Sequence, residues 1–339
     1  MNIDLLNRFK GTLVGVHVGD SIGAPYEETF RPAKIAEDIA ARGGLVFFNY
    51  ANPWAKDGNG AILPAGRPTD DSEQTACLAA SLLECGSLDT RHLYRLLQES
   101  VFDQKSLLWK GRSTGAGGTT KNALSGDRVR EEQARNNPIG TNGSLMRCSP
   151  MALWFARDIF DISNNGKFDS STMRIVKQAV HDMSLVTHTH PHSKTACWLY
   201  TIILSSLLAG NDPLTALGDV DDIDPNLKCD PMTIRIGSRL NDPYERPYDP
   251  GAFPMRGTAE FSLYVALYAL MHSTSFSTGI EIAIRVGGDT DTYAAIAGGL
   301  LGAHYGYDAI PPLWRQTILG HDPMVKYAAE IYERQTIST

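Results

Sequence analysis

Two short runs of the 339-residue chain combine carboxylates with hydroxyls: Thr69-Asp70-Asp71 and Asp289-Thr290-Asp291-Thr292. Each stands directly before a segment with helical period. Taken singly, each reads as a helix cap. Asp70 with Glu73 three residues later has the spacing of a capping box, and acidic residues suit the positive end of a helix. The chemical alternative is a metal site. Two clusters of hard oxygen donors that meet in space would suit Mg²⁺ or Mn²⁺ rather than zinc or copper. Two other readings fail on the residues. An aspartyl phosphatase motif has Thr or Val at the fifth position, where this chain has Tyr293, and Glu281 to Val286 before it looks helical. A calcium loop starting at Asp289 would lack Gly at its sixth position and Glu at its twelfth.

Other runs could bind rather than react. Gly111 to Thr120 includes Gly115, Gly117 and Gly118, and such a loop lets backbone N–H groups crowd an anion. It is not a Walker loop, because no Gly-Lys-Ser/Thr follows. A flexible loop and a phosphate cradle are equally compatible with it. Gly140-Thr141-Asn142-Gly143-Ser144 is a second small-residue turn, placed before Leu145-Met146-Arg147. Thr187-His188-Thr189-His190-Pro191-His192 resembles a metal site only superficially. Its histidines alternate, Pro191 stops a regular helix from running into it, and no carboxylate or cysteine adjoins. A substrate-contacting or helix-terminal histidine is the better reading. Gly19 to Glu27 ends the first helix in a glycine-rich turn, and Glu27 alone reads as a solvated acid.

The elements that must position these residues are mostly helices. Helical period marks Leu5 to Gly19, Thr75 to Leu83, Leu93 to Phe102, Met151 to Ile159, Met173 to Leu185, Thr195 to Leu208, Ala259 to Leu270, Thr278 to Arg285 and Thr292 to Tyr305. Leu45 to Tyr50 and Met232 to Ile236 are candidate short strands. No βαβ alternation begins, so an all-α fold is expected, as one domain over residues 1–339. Thr29 to Pro68 and Asn211 to Arg256 read as long irregular loops, the first a flap. Gly298, Gly299 and Gly302 would weaken the last of these helices by roughly 1 kcal/mol each, so close packing against another helix is expected to offset them.

Composition narrows the class. Hydrophobic residues make up 42% and charged residues 20%, as in a globular protein. A net charge of -7 argues against a nucleic-acid binder, though not against an anionic small molecule. No leader is visible, and the longest apolar stretch, Trp198 to Ala209, is too short for a bilayer and reads as a buried helix. The five cysteines form no CxxC pair. A cytoplasmic protein without membrane association is expected.

Five blocks in order, Gly11 to Glu27, Pro68 to Glu84, Gly140 to Leu153, Val186 to His192 and Gly257 to Gly306, resemble the ADP-ribosylglycohydrolase family. The most specific are Val286 to Thr292 with Ala297 to Ala303, and Asn142-Gly143-Ser144-Leu145-Met146-Arg147. The resemblance implies a compact helical fold with a binuclear Mg²⁺ or Mn²⁺ centre. It implies Thr69, Asp70, Asp71, Asp289, Asp291 and Thr292 as ligands. It further implies that Gly115, Gly117 and Gly118 with Asn142, Gly143 and Ser144 cradle the ADP-ribose diphosphate. His188 would line the distal ribose, and Glu27 matches the acid of a mobile flap. Asp70, Asp291 or Glu27 would position water or take its proton.

The expected activity is hydrolysis of the bond between ADP-ribose and an acceptor, with protein arginine first and serine or a small molecule next. A different class is an immunity protein that sequesters an ADP-ribosylating toxin. A third is an unrelated metal-dependent phosphatase.

Overall fold

Four glycines at four-residue spacing, Gly11, Gly15, Gly19 and Gly23, line one face of the N-terminal helix, Leu5–Gly23. They meet the helix Thr290–Tyr305 running the other way. A Cβ added at Gly15 would lie 2.1 Å from the Gly298 carbonyl oxygen, and one at Gly11 2.2 Å from that of Gly302. Gly19 and Gly23 press in the same way on Ala294 and Thr290. Any side chain would force the two backbones apart. The expected close packing of Gly298 and Gly302 is therefore present, with the N-terminal helix as its partner. The N-terminal helix is buried on every side from Gly11 to Gly23. The register of this pair carries Asp20 and Glu27 toward Asp289 to Thr292.

The computed structural model describes residues 3–29, 31–51, 62–113, 115–159, 170–240 and 257–337. Among these, α-helices dominate, and one antiparallel pair of two-residue strands is the sole sheet. The fold is all-α. One hydrophobic cluster runs from Phe9 to Ile331, with Trp198, Tyr200, Tyr264 and Tyr293 fully buried in it. Pro191–Leu208 is the expected buried helix. No helix among the described residues is long and apolar enough to cross a membrane.

Each periodic segment lies in a helix, usually one turn longer than its apolar stripe. Thr75 to Leu83 becomes Asp70–Cys85, and Thr195 to Leu208 becomes Pro191–Leu208. Met151 to Ile159 is instead split at Phe155 into Ser149–Trp154 and Ala156–Ile159.

The two expected loops need correction. Asn211 to Arg256 is helical through residue 240, as Pro213–Ile223, a 3-10 turn Pro225–Cys229 and Pro231–Leu240. Asp-Pro pairs start these elements. Asp212 accepts the N–H groups of Leu214 and Thr215 at 2.9 and 3.1 Å, and Asp230 those of Met232 and Thr233 at 3.0 Å each. Pro in the first helical position loses no bond there, because its missing N–H would be unpaired anyway. Composition makes these pairs look like breakers when they are helix starts. Met232 to Ile236 is thus helix, not strand. Residues 241–256 lie outside the described residues.

Within the expected flap, Pro32–Ala41 is a helix that buries Ile35 and Ile39, four residues apart. Leu45 to Asn49 finds no strand partner among the described residues. The pairing is confined to Tyr50 opposite Leu63 and Ala51 opposite Ile62. The Asp57 to Gly60 run lies outside the described residues. Period alone also does not single out Gly118–Ala123, Arg128–Arg135 and His321–Ile337.

Candidate functional site

The start of helix Asp70–Cys85 is not capped from within. Thr69 occupies the N-cap position, and no side chain there makes the capping bond. Asp20, fully buried on the N-terminal helix, supplies the acceptor instead. Its carboxylate takes the Thr69 N–H at 3.0 Å, the Thr69 hydroxyl at 2.6 Å, the Ser72 N–H at 3.1 Å and the Ser72 hydroxyl. The capping box expected between Asp70 and Glu73 does not form. Glu73 accepts from the Ser106 hydroxyl and from Leu107 N–H at 3.1 Å, which ties down the loop leading to Gly111. Asp289 likewise holds an N-cap position without capping. It accepts from the Asn142 amide at 2.7 Å. With the caps filled elsewhere or left open, the cluster carboxylates are free to face one another.

They do so closely. Carboxylate oxygens of Asp20, Asp71 and Asp291 lie within 4.8 Å of one another, and so do those of Glu27, Asp289 and Asp291. Asp291 belongs to both groups. Thr292 hydrogen-bonds toward Asp71 and Asp289, and its own N–H meets Asp291 Oδ1 at 2.8 Å. Glu27 is held opposite Gly288 by a parallel bridge, with Glu28 N–H on the Gly288 carbonyl at 2.9 Å and Gly288 N–H on that of Thr29 at 3.1 Å. Asp70 stands outside both groups, toward the glycine loop. The Ala116 N–H bonds it, and a Cβ at Gly115 would fall 2.2 Å from its Oδ1. Gly115 also has φ +105°, so two constraints demand glycine there.

Burial is the largest cause pushing these carboxylates up. Asp71 and Asp291 are held well above the ordinary carboxylate range, next by Asp20 and by Glu27 respectively. Asp70 is pushed up to about 6, and Asp20 and Asp289 shift the same way. Such mutual repulsion is expensive unless cations enter. Asp71 Oδ1 is buried without any hydrogen-bond partner. An orphaned anionic oxygen among other carboxylates fits a hard divalent cation, as does the donor set of carboxylates and threonine hydroxyls.

The surroundings contain residues that sequence reasoning assigned and others it missed. Gly115, Gly117 and Gly118 are exposed, and a Cβ at Gly117 or Gly118 would meet nothing within 4 Å, so this loop is open. Asn142 divides its amide between Asp289 and, at 2.9 Å, Ser262. Ser144 is fully buried and accepts from Ser184 at 2.9 Å. Both side chains thus serve the framework. Gly143 leaves room for the His188 ring, whose Nε2 would be 3.0 Å from a Cβ there. His188 is buried and pushed down to about 3 by burial and by Arg147, so it is neutral. Thr187 accepts from Arg147 Nη2 at 2.7 Å, and its hydroxyl lies 2.7 Å from His188 Nδ1. Arg147 also bonds Gln74 Oε1 at 2.8 Å, and Gln74 donates to Asp70 Oδ2 at 3.0 Å.

Asp20, Tyr50, Arg67, Gln74 and Arg147 were not foreseen. Tyr50 is nearly buried, and its phenol is held up by burial and then by Asp20, against the opposing charge of Arg67. The one signal for Asp20 was an acid inside the stretch Gly11 to Gly23, where His17 is the other titratable residue.

A sequence model of the family described as ADP-ribosylglycohydrolase matches residues 1–338. The chain is 27% identical to the ADP-ribosylarginine hydrolase Tri1 of Pseudomonas putida (strain GB-1), over 97% of this chain and 79% of that protein. It is 24% identical to the ADP-ribosyl-(dinitrogen reductase) glycohydrolase of Rhodospirillum rubrum, over 91% and 89%. It is 25% identical to the ADP-ribosylhydrolase ARH3 of Danio rerio, over 97% and 91%. A solved structure titled ADP-ribosylglycohydrolase-related protein complex shares the fold, with a TM-score of 0.68 at 24% identity over 97% of this chain and 98% of that one.

Proposed function

The chain belongs to the ADP-ribosylglycohydrolase family and is a hydrolase of ADP-ribose glycosidic bonds; from that premise we propose that it frees ADP-ribose from modified arginine side chains with the help of two Mg²⁺ or Mn²⁺ ions. The observation that carries the metal-dependent reading is the pair of carboxylate groups sharing Asp291, with the orphaned Asp71 Oδ1 between helix starts. The names of two similar proteins, an arginine hydrolase and a dinitrogen reductase glycohydrolase, support a protein acceptor, with arginine first.

Thr69, Asp70, Asp71, Asp289, Asp291 and Thr292 are the proposed ligands. Asp20 is better read as the residue that positions Thr69 and its neighbours, because its oxygens are already spent on four donors. When bound, the ions supply positive charge that grips ribose hydroxyls and acidifies water.

The protein's own groups do the rest. Backbone N–H groups along Gly115, Gly117 and Gly118 face the diphosphate. His188 donates from Nε2 to the distal ribose, with the Thr187 hydroxyl donating to its Nδ1. Positive charge builds at the anomeric carbon as the bond to the guanidine nitrogen breaks. Glu27 takes the proton of the attacking water, with Asp70 and Asp291 holding the charge around it. The guanidine leaves as the neutral base and takes up that proton, so the products are ADP-ribose and unmodified arginine.

The test is release of ADP-ribose from arginine- and serine-modified peptides, with Mg²⁺, Mn²⁺ or EDTA. Release from arginine, lost with EDTA and with Asp289→Ala, is expected. No release from either peptide with metal present would sink the proposal, and phosphate release from simple esters would point to a phosphatase.

A further inference from the structure

Helix Arg128–Arg135 carries two arginines where its own dipole disfavours them. Asp127 caps it, accepting from Val129 and Arg130 N–H at 2.9 and 3.1 Å. Arg128 and Arg130 are then the first and third helical residues, at the end that repels cations. Both are exposed, and neither forms an ion pair among the described residues. Lys121, on the preceding helix Gly118–Ala123, is exposed too. The local acids do not answer them. Asp127 is used as the cap and Glu131 pairs with Arg135 at 3.8 Å, which leaves Glu132. Between positions 118 and 135 the chain has four basic residues against three acidic ones, in a protein of net charge -7. Val129, between the two arginines, is 66% exposed.

This hairpin of helices borders the site. It follows directly from the open Gly117 and Gly118. Thr119 receives bonds from Asn137 at 2.9 Å and from Thr141 at 3.2 Å. The Thr189 hydroxyl, next to His188, donates to the Arg135 carbonyl at 2.7 Å. The cations therefore stand beside the opening without belonging to the carboxylate cluster.

We propose that the 118–135 hairpin is a docking surface for acidic residues flanking the modified side chain of a protein acceptor. No ion pair among the described residues uses Arg128 or Arg130, and their placement at a helix start costs helix stability, so a partner of opposite charge is what they fit. The proposal rests on the hydrolase reading above.

Three probes test it: free ADP-ribosylarginine, an ADP-ribosylarginine peptide flanked by Asp and Glu, and the same peptide flanked by Ser. The wild type should show a KM about five-fold lower for the acidic peptide at low ionic strength, and the preference should fade at high salt. The variant Arg128→Glu/Arg130→Glu puts acids at a helix start, where they suit the dipole, so it is expected to fold. It should lose the acidic preference and turn over the other two probes as before. Equal loss on all three probes would assign the arginines to ADP-ribose itself and overturn the docking surface. So would a wild type that treats both peptides alike. Turnover of none of the probes by the wild type would bring down the hydrolase reading and this one together.

Discussion

Asp70 and His188 are joined by an unbroken hydrogen-bond chain through Gln74, Arg147 and Thr187. Every link between them is buried, and Arg147 is fully so. The chain gives the acidic cluster and the histidine one shared orientation. Thr187→Val removes the hydroxyl but keeps the shape. It should leave the Nδ1 of His188 without its hydroxyl partner and change the tautomer balance. The KM for ADP-ribosylated substrate should rise about ten-fold, as when groups orienting a ligand are lost. Stability should fall by only about 1 kcal/mol. Imidazole nitrogen NMR with steady-state kinetics checks both, and an unchanged KM with a mixed tautomer would break the link.

The glycine seam predicts a contrast between two Gly→Ala changes. At Gly15 the new methyl meets the backbone carbonyl of Gly298, which cannot swing aside. Gly15→Ala should cost about 3 kcal/mol or more through overpacking. At Gly218, exposed in helix Pro213–Ile223, a methyl meets nothing within 4 Å. Gly218→Ala should stabilise by about 1 kcal/mol through helix propensity. Urea midpoints of the two variants decide it. Equal effects would mean that the seam is looser than the distances imply.

Removal of metal should make stability depend on pH in an unusual direction. Asp70 rises from its ordinary 3.8 to about 6 in the folded chain, by burial first, and Asp71, Asp289, Asp291 and Asp20 shift the same way. A folded value above the unfolded one means that the fold holds the proton more tightly. The contribution is thus fully present below about pH 4 and is lost as pH rises through about 6. Capping acids such as Asp89 and Asp212, held low by their N–H partners, act in the opposite sense below pH 4, and the buried histidines His17 and His188, pushed down to about 3, act in the opposite sense up to about pH 6.5. In EDTA, the Tm of the wild type should therefore fall between pH 4 and pH 7 relative to that of Asp70→Asn, which keeps the histidines and lacks this carboxylate. Mg²⁺ or Mn²⁺ should restore it, more at pH 7 than at pH 5, because ligands must lose protons to bind. A Tm difference between the two in EDTA that is flat or rising over this range would refute the account.

What could be read from the sequence was local. Thr69 to Asp71 and Asp289 to Thr292 are contiguous runs, so their donor chemistry shows before any folding, and Gly298 and Gly302 announced a close neighbour. Asp20 was hidden because its partners, Thr69 and Ser72, are about fifty residues away and meet it only through the glycine seam. Glu73 misled for the same reason: the local box competes with Ser106 and Leu107, and the tertiary partners win. The Asp-Pro pairs at 212, 224 and 230 were misjudged by composition. Tyr50 ends a segment that reads only as a candidate strand, and its neighbourhood is set by a two-residue pairing in which it stands opposite Leu63.

Glu27 separates the roles of ligand and proton acceptor. It shares a carboxylate group with Asp289 and Asp291, yet it comes from the turn after the N-terminal helix and is partly exposed, unlike Asp291. A group that takes a proton from water needs access to solvent; Asp289 is partly exposed too, but it accepts from the Asn142 amide at 2.7 Å. Glu27→Gln keeps the size and removes the basicity. Its kcat should fall about 10²- to 10⁴-fold, the usual worth of a general base, with Mn²⁺ affinity within a few-fold of wild type. Asp289→Asn should instead weaken Mn²⁺ binding about ten-fold or more, and added metal should recover part of its activity. Calorimetric titration of Mn²⁺ beside single-turnover release of ADP-ribose tells the two apart. Should Glu27→Gln lose metal as Asp289→Asn does, Glu27 is a ligand, and the proton acceptor must be sought at Asp70, the remaining carboxylate facing the glycine loop.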